Sequence, residues 1–113
     1  MKQNPNLVRA TLDLLILKSL TWEPQHGYAI SEWIETATDG SLLMEEGTLY
    51  PALHRLRAKG WIDSEWGLSK NNRRAKYYHL TRSGVSQLDR EAESWNRYSS
   101  AVARALALDT PNP

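Results

Sequence analysis

The sequence predicts a mainly α-helical domain with one two-stranded β-hairpin, followed by a long C-terminal helix. Three observations lead to this fold class. Apolar residues recur at helical spacing in four segments, and between the third and the fourth of them the spacing changes to a period of two. Glycine, proline or capping residues separate the segments. The length of 113 residues and the hydrophobic content of 41% are typical of one globular domain.

Two amphipathic helices are predicted in the first third of the chain, over residues 7–20 and 28–38. One face of the first helix carries Leu12, Leu15, Ile16 and Ser19. One face of the second carries Ile30, Trp33, Ile34 and Ala37. Leu14 and Leu17 extend the apolar surface of the first helix, and a helix that is apolar on several sides must be buried on several sides. We therefore expect Leu14 and Leu17 to contact a second subunit.

The third predicted helix spans residues 45–59 and has an apolar stripe formed by Leu49, Leu53 and Leu56. Two starting points for this helix are compatible with Pro51, because proline is tolerated only in the first turn or at a kink. Either Thr48 caps the helix, or the helix begins nearer Glu45 and bends at Pro51. The pattern of the sequence does not distinguish the two.

The side of this helix opposite its leucine stripe is predicted to enter the major groove of DNA. A recognition helix presents its N-terminal residues to base edges, and the short side chains on this side would let the backbone come close. Hydroxyl groups and an arginine there are suited to phosphates or to a guanine edge. The predicted contacts are Thr48, Tyr50, Pro51 and Arg55. The alternative is a solvated helix face without a ligand.

A β-hairpin with a cationic tip follows the third helix. Its strands are predicted over residues 61–66 and 75–80, where side chains alternate between two faces. Residues 70–76 carry four positive charges and no negative one, in a chain whose formal net charge is only +1. We expect Lys70, Arg73, Arg74 and Lys76 to bind phosphates or the minor groove of DNA. Alternatively, these charges only protect an edge strand from pairing with another chain.

The last predicted helix, over residues 85–108, carries a heptad seam. The seam residues are spaced alternately by four and three positions: Leu88, Ala92, Trp95, Ser99, Val102 and Leu106. This spacing is typical of helices that pack along one another. The chain offers little of its own to cover such a helix, so the seam predicts a homodimer. Trp95 either packs in that interface or lines an apolar gap between subunits that admits a flat hydrophobic ligand.

Composition argues against several other classes of protein. The chain has no cysteine, so disulfide and thiolate chemistry are excluded. His26, His54 and His79 lie far apart, and no spacing suggests a nucleophile beside its base, so we expect no metal, no cofactor and no enzymatic activity. No apolar run is long enough for a membrane span, and no signal-like segment is visible. We therefore expect a cytoplasmic location without membrane contact.

The predicted order of helix, helix, helix, hairpin and helix is that of a winged helix-turn-helix domain. The chain also resembles the PadR family of bacterial transcriptional regulators. The resemblance is carried by Gly-Thr-Leu-Tyr-Pro-Ala-Leu-His-Arg-Leu at 47–56, Gly-Trp-Ile at 60–62 and Arg-Arg-Ala-Lys-Tyr-Tyr-His-Leu-Thr at 73–81, with Trp66, Gly84 and the upstream runs 12–17 and 26–28. It covers residues 7–108, nearly the whole chain.

The resemblance implies a winged-helix homodimer whose C-terminal helices pack against the partner's N-terminal helix, and usually a repressor. The single C-terminal helix resembles the short-tailed subfamily, and in particular its members associated with permease or ABC-type transporter genes. Some relatives bind flat hydrophobic compounds between subunits, near an aromatic residue that matches Trp95.

We therefore expect a winged-helix DNA-binding domain over residues 7–80 and a dimerisation helix over residues 81–108, together forming one compact unit. The expected function is a sequence-specific transcriptional repressor that binds an inverted-repeat operator in double-stranded DNA as a homodimer and is released by a small-molecule effector. Two other classes are kept as alternatives. One is a winged-helix module that binds proteins and no nucleic acid, and the other is a small-molecule carrier built around Trp95.

Overall fold

The computed structural model describes the backbone of residues 5–112 and the side chains of residues 11–112. Four helices and a β-hairpin occur in the predicted order. The elements are α1 (Pro5–Ser19), β1 (Gln25–His26), α2 (Gly27–Ala37), α3 (Glu46–Ala58), β2 (Ile62–Leu68), β3 (Arg74–Leu80) and α4 (Arg82–Leu106). The winged-helix fold class is thereby confirmed, and β2, β3 and the loop between them form the wing.

The core lies where α1, α2 and α3 meet the base of the wing. Its members come from every predicted apolar stripe: Leu12, Ile16, Leu17, Ile30, Ile34, Leu49, Leu53, Leu56, Ile62 and Leu88 among others. Leu17 has 0% of its surface exposed. It therefore has no surface to offer a partner, and the prediction that Leu17 lies in a subunit interface is wrong. Leu14, by contrast, is only partly buried against this core.

The sheet has a third strand that the sequence did not predict. The strand order is β1-β3-β2, and both pairs are antiparallel. Gln25 pairs with Tyr78, and His26 pairs with Tyr77. A strand of two residues has no periodicity to detect, and its partner lies more than 50 positions away in the chain. Its effect is to attach the start of α2 to the central strand of the sheet.

The structure also shows which of the two starts of α3 is correct. Glu45 occupies the N-cap position, and its carbonyl oxygen accepts hydrogen bonds from the N–H groups of both Thr48 and Leu49. The helix then continues through Pro51. Thr48 therefore lies inside the helix, and the N-cap of the helix is Glu45, three positions earlier.

α4 begins three residues earlier than predicted because Thr81 provides its N-cap. The Thr81 hydroxyl oxygen accepts a hydrogen bond from the Gly84 N–H at 3.1 Å and donates one to the Gly60 carbonyl at 2.6 Å. From this anchor the helix leaves the domain, and the molecule measures 60 × 33 × 21 Å. Among the described residues, no helix is both long enough and apolar enough to cross a membrane.

Candidate nucleic-acid interface

One groove brings the recognition helix and the cationic tip of the wing together. We call it the wing groove. It is lined by His26, Gly27 and Tyr28 at the start of α2, by Tyr50 of α3, and by Trp66, Ser69, Arg74, Ala75, Lys76 and Tyr78 of the wing. Tyr50, Arg74 and Lys76 were all predicted to contact DNA. The two elements that carry these predictions therefore face the same side of the molecule.

Strand alternation explains why the cations face this groove. Ile62 and Leu80 are a registered pair at the base of the wing, where Ile62 is buried in the core. Successive side chains of a strand point to opposite faces. Trp66, Lys76 and Arg74 are an even number of residues from this pair, so they share its face. The face that covers the core at the base of the wing thus becomes cationic near the tip.

The indole of Trp66 forms a platform under two of these cations. Arg74 Cζ lies 4.6 Å from the centroid of the indole, and Lys76 Nζ lies 5.7 Å from it. Both distances are within the range of cation–π contacts. The indole itself remains 58% exposed. The wing therefore presents two positive charges and one large aromatic surface side by side.

The start of α2 forms the opposite wall of the groove. His26 caps this helix, because its Nδ1 accepts a hydrogen bond from the Ala29 N–H at 3.1 Å. Its ring meets the edge of Tyr77 in a T-shaped contact at 5.5 Å and stacks with Tyr28 at 6.5 Å. The β1–β3 pairing therefore holds an aromatic, polar wall in a defined position beside α3.

Tyr78 closes the floor of the groove. It is the most buried of the residues from β3, and burial raises the pKa of its phenol above the usual value, with the nearby Tyr50 acting in the same direction. A phenol is protonated at neutral pH even with its usual pKa, and the raised pKa of Tyr78 moves its ionisation further from that pH. The floor of the groove therefore adds no negative charge that would repel a phosphate.

Not every predicted DNA contact lies in the wing groove. Thr48 and Pro51 are exposed on α3, and Lys70 and Arg73 are exposed at the turn of the wing. The side chain of Arg55 turns instead toward α1, where its guanidinium forms an ion pair with the carboxylate of Asp13. Its contact with DNA stays a prediction, and the structure gives it a second role in joining α1 to α3.

Sequence reasoning missed most of the other residues of this surface, including the aromatic side chains of His26, Tyr28 and Trp66. His26 lies between the first two predicted helices and Tyr28 is the first residue of the second, and no apolar period marks a strand or a site there. Trp66 was assigned to one face of a strand, but whether that face covers a core or a groove depends on how far the wing extends beyond the helices. The signal available in the sequence was an aromatic residue in one strand of the predicted hairpin and a group of cations in the other.

A second, apolar groove lies between α1 and α4. Its lining is Thr11, Leu14 and Leu15 of α1, Leu42 of the α2–α3 connection and Trp95 of α4. Along the predicted seam of α4, only the first two residues, Leu88 and Ala92, lie wholly in the part that the protomer covers, and the apolar residues after them are exposed. Leu88 is buried and Ala92 is half-buried, whereas Trp95 is 42% exposed, Ser99 half-buried, Val102 39% exposed and Leu106 81% exposed. The apolar side chains of the seam from Trp95 onward are thus uncovered within the protomer.

The close approach of α2 to Tyr50 leads to a first prediction. A Cβ atom at position 27 would lie 2.6 Å from the hydroxyl oxygen of Tyr50 and 2.9 Å from its Cζ. Tyr50 is half-exposed, so its ring can rotate away while the backbone stays in place. We expect Gly27→Ala to weaken DNA binding about tenfold while changing the free energy of unfolding by less than about 1 kcal/mol. Fluorescence anisotropy with labelled duplex and thermal unfolding would measure the two effects.

The control for this prediction is the same substitution in a Tyr50→Ala background. If Gly27→Ala acts by displacing Tyr50, it should have no further effect on DNA binding there. A loss of equal size in both backgrounds would contradict this explanation.

Comparison with known proteins agrees with the geometry. Residues 16–90 match the model of the transcriptional regulator PadR-like family. A transcriptional regulator from Clostridium thermocellum superposes with a TM-score of 0.78 at 30% sequence identity, covering 88% of this chain and 96% of the other. A PadR-like transcriptional regulator from Bacillus cereus superposes with a TM-score of 0.80 at 27% identity, covering 92% and 99%.

The match extends to sequence alone. Protein X of Lysinibacillus sphaericus is 31% identical over 90 residues, which are 80% of this chain and 83% of that protein. Members of the PadR-like family are DNA-binding transcriptional regulators and not enzymes, which favours DNA binding over the protein-interaction module and the small-molecule carrier. DNA binding by such a regulator requires a winged-helix fold and a surface that joins a recognition helix to a cationic wing, and this chain has both. The chain belongs to the PadR-like family of transcriptional regulators.

Proposed function

We propose that this regulator is a homodimeric repressor that binds an inverted-repeat operator, with α3 in the major groove and the wing on the flanking backbone. The observation that supports this proposal is the wing groove, where Tyr50 of α3 and the cations Arg74 and Lys76 line one surface. Thr48 and Pro51 are exposed on the same helix, and Lys70 and Arg73 extend the positive charge to the tip of the wing. Each protomer would then read one half-site.

A dimer built on α4 is supported by the uncovered part of its seam. Trp95, Val102 and Leu106 are exposed apolar side chains on one stripe, and the helix extends beyond the domain. An apolar stripe repeating every seven residues is suited to packing against a second helix. In this proposal residues 7–80 bind DNA and residues 81–108 hold two protomers together. Twofold symmetry then requires half-sites whose centres are about 10 base pairs, or a multiple of that, apart.

The apolar groove beside Trp95 is the place we propose for a flat hydrophobic effector. Four of its five lining residues have apolar side chains, and it offers a volume of about 340 Å³. That size is suited to a small aromatic molecule. The groove lies between α1 and the helix that we assign to dimerisation, so a bound molecule would act on the distance between the two DNA-reading surfaces.

The proposal is tested by salt-dependent DNA binding. Each phosphate neutralised by the protein contributes about 0.9 to the slope of log K against log salt concentration. We expect Arg74→Ala to weaken binding about tenfold at low salt, alike for an operator and for random duplex, and to reduce the magnitude of that slope by about one. Fluorescence anisotropy over a range of salt concentrations would measure both quantities.

Arg90→Ala is the matched control for Arg74→Ala, because it removes the same charge from an exposed position on the side of α4 opposite the seam. It should leave both affinity and slope nearly unchanged. An Arg74→Ala variant that behaves like Arg90→Ala would contradict the assignment of the wing groove to DNA.

A further inference from the structure

Trp66 has an arrangement that the proposed DNA contacts do not explain. It is a large apolar side chain that is 58% exposed, and it lies on the groove side of the wing rather than in the core. Single exposed apolar residues are ordinary on protein surfaces. This one differs because two cationic groups lie over its ring, and both belong to side chains assigned to DNA binding.

The register of the wing makes this arrangement specific. Trp66 is directly opposite Lys76 across the β2–β3 ladder, and Arg74 is opposite Leu68, two positions further along. The directly opposite and diagonal neighbours of a strand residue are the ones its side chain can reach. The Arg74 guanidinium at 4.6 Å and the Lys76 ammonium at 5.7 Å therefore share one indole.

A cation held on an aromatic ring differs from a free one in its conformational entropy. Arginine and lysine side chains have many rotamers, and ordering them on binding costs free energy. When the side chains are already held in the free protein, less of that cost is paid on binding. The attraction to the ring is also modest at an exposed site, so it does not prevent the charged group from bonding to an anion.

We propose that Trp66 is a positioning residue for DNA binding, whose indole holds the Arg74 guanidinium and the Lys76 ammonium in the wing groove for the phosphodiester backbone. This inference rests on the proposed DNA contacts of those two cations. The ligand is the sugar–phosphate backbone, which has the same chemistry at every step of the duplex. Trp66 therefore sets affinity and its salt dependence, and it does not select sequence.

The chain offers a matched control for this role in Trp22. This residue is 65% exposed, and Lys18 Nζ lies 5.1 Å from the centroid of its ring. Trp22 also contacts Trp33 at 5.8 Å, and it is not part of the wing groove. A substitution there removes an exposed tryptophan and a cation–π contact without touching the proposed DNA surface.

The test compares the affinity of full-length variants for a random duplex over a range of salt concentrations. Trp66→Leu should lower affinity about threefold to tenfold, and to the same extent for a cognate operator, because the cations lose their platform. Trp66→Tyr keeps an aromatic ring and should stay within about twofold of the wild type. Trp22→Leu should bind like the wild type. Thermal unfolding midpoints should be unchanged in all three variants, since these rings are mostly exposed.

A second comparison separates positioning from a direct contact of the indole with DNA. Trp66→Leu is made in the background of Arg74→Ala combined with Lys76→Ala, with binding measured at low salt. If the indole acts through the two cations, the substitution has no further effect there. A loss of the same size with and without the cations would overturn the inference.

Two other results would also overturn it, and they differ in what they say of the proposed function. If Arg74→Ala weakens binding as expected while Trp66→Leu binds like the wild type, the positioning role is refuted and the DNA site stands. If neither substitution changes affinity or salt slope, the inference is refuted together with the proposed site.

Discussion

Replacing Gly84 with alanine is expected to destabilise the protein by about 3 kcal/mol, because the added methyl group meets backbone that cannot turn aside. A Cβ atom at position 84 would lie 1.8 Å from the carbonyl oxygen of Trp61 and 2.9 Å from its carbonyl carbon. Both are backbone atoms, so no rotamer change relieves the clash. The first turn of α4 would have to move away from the start of the wing, and with it the Thr81 cap and its bond to Gly60.

Thermal unfolding at one fixed protein concentration would measure this effect, since the unfolding of a dimer depends on concentration. For a domain of this size, 3 kcal/mol corresponds to a decrease of about 13 °C in the midpoint. Gly47→Ala is the matched control. Position 47 lies inside α3 with no atom within 4 Å of the added Cβ, so alanine should stabilise the protein by about 0.5–1 kcal/mol through its higher helix propensity. Equal effects of the two substitutions would show that α4 does not pack against Trp61 as described.

Val102→Glu is expected to convert the proposed dimer into monomers. Val102 lies on the seam of α4 beyond the part that the protomer itself covers, and it is 39% exposed in the single chain. In a dimer joined along this seam, the substitution would place a charge without a partner between two helices. The cost is several kcal/mol and is incurred twice in a symmetric pair. Sedimentation equilibrium would detect the change as a dissociation constant raised by at least about a hundredfold.

Ser100→Glu is the control for Val102→Glu. It adds the same charge to the same exposed part of α4, on the side of the helix that faces away from the seam. It should leave the dissociation constant nearly unchanged. If Val102→Glu also leaves the dimer intact, the seam is not the subunit interface, and the inverted-repeat operator loses its structural basis.

Spacing along the chain was sufficient to predict the four helices, the wing and the leucines that form the core. Each of these depends on apolar side chains recurring every three to four residues, or every two, and such periods are properties of neighbouring residues. The stripe of Leu49, Leu53 and Leu56 is buried as predicted, and so are Ile30 and Ile34. The cationic segment of the wing was equally visible, because charge clustering is read directly from the sequence.

The start of α3 shows where local rules stop being decisive. Both Glu45 and Thr48 satisfied the rules for a helix start near Pro51, and the choice depended on which backbone carbonyl accepts the first hydrogen bonds. In the structure that carbonyl belongs to Glu45. Local rules are insufficient at Leu17 for the same reason. An apolar surface wider than one helix face indicates that several sides are buried, but it does not say whether they are buried by the same chain or by a second subunit.

Contacts between residues distant in the chain were decided only by how the elements pack. β1 exists because two residues of the segment between α1 and α2 reach the free edge of β3. Nothing in Gln25 or His26 marks them as a strand. The turn of Arg55 toward Asp13 and the approach of Gly27 to Tyr50 likewise join residues more than 20 positions apart. The sequence alone thus determined the secondary structure, most of the core and the charge of the wing. The tertiary structure determined which of those residues share one groove, because a shared surface depends on distances in space that no periodicity encodes.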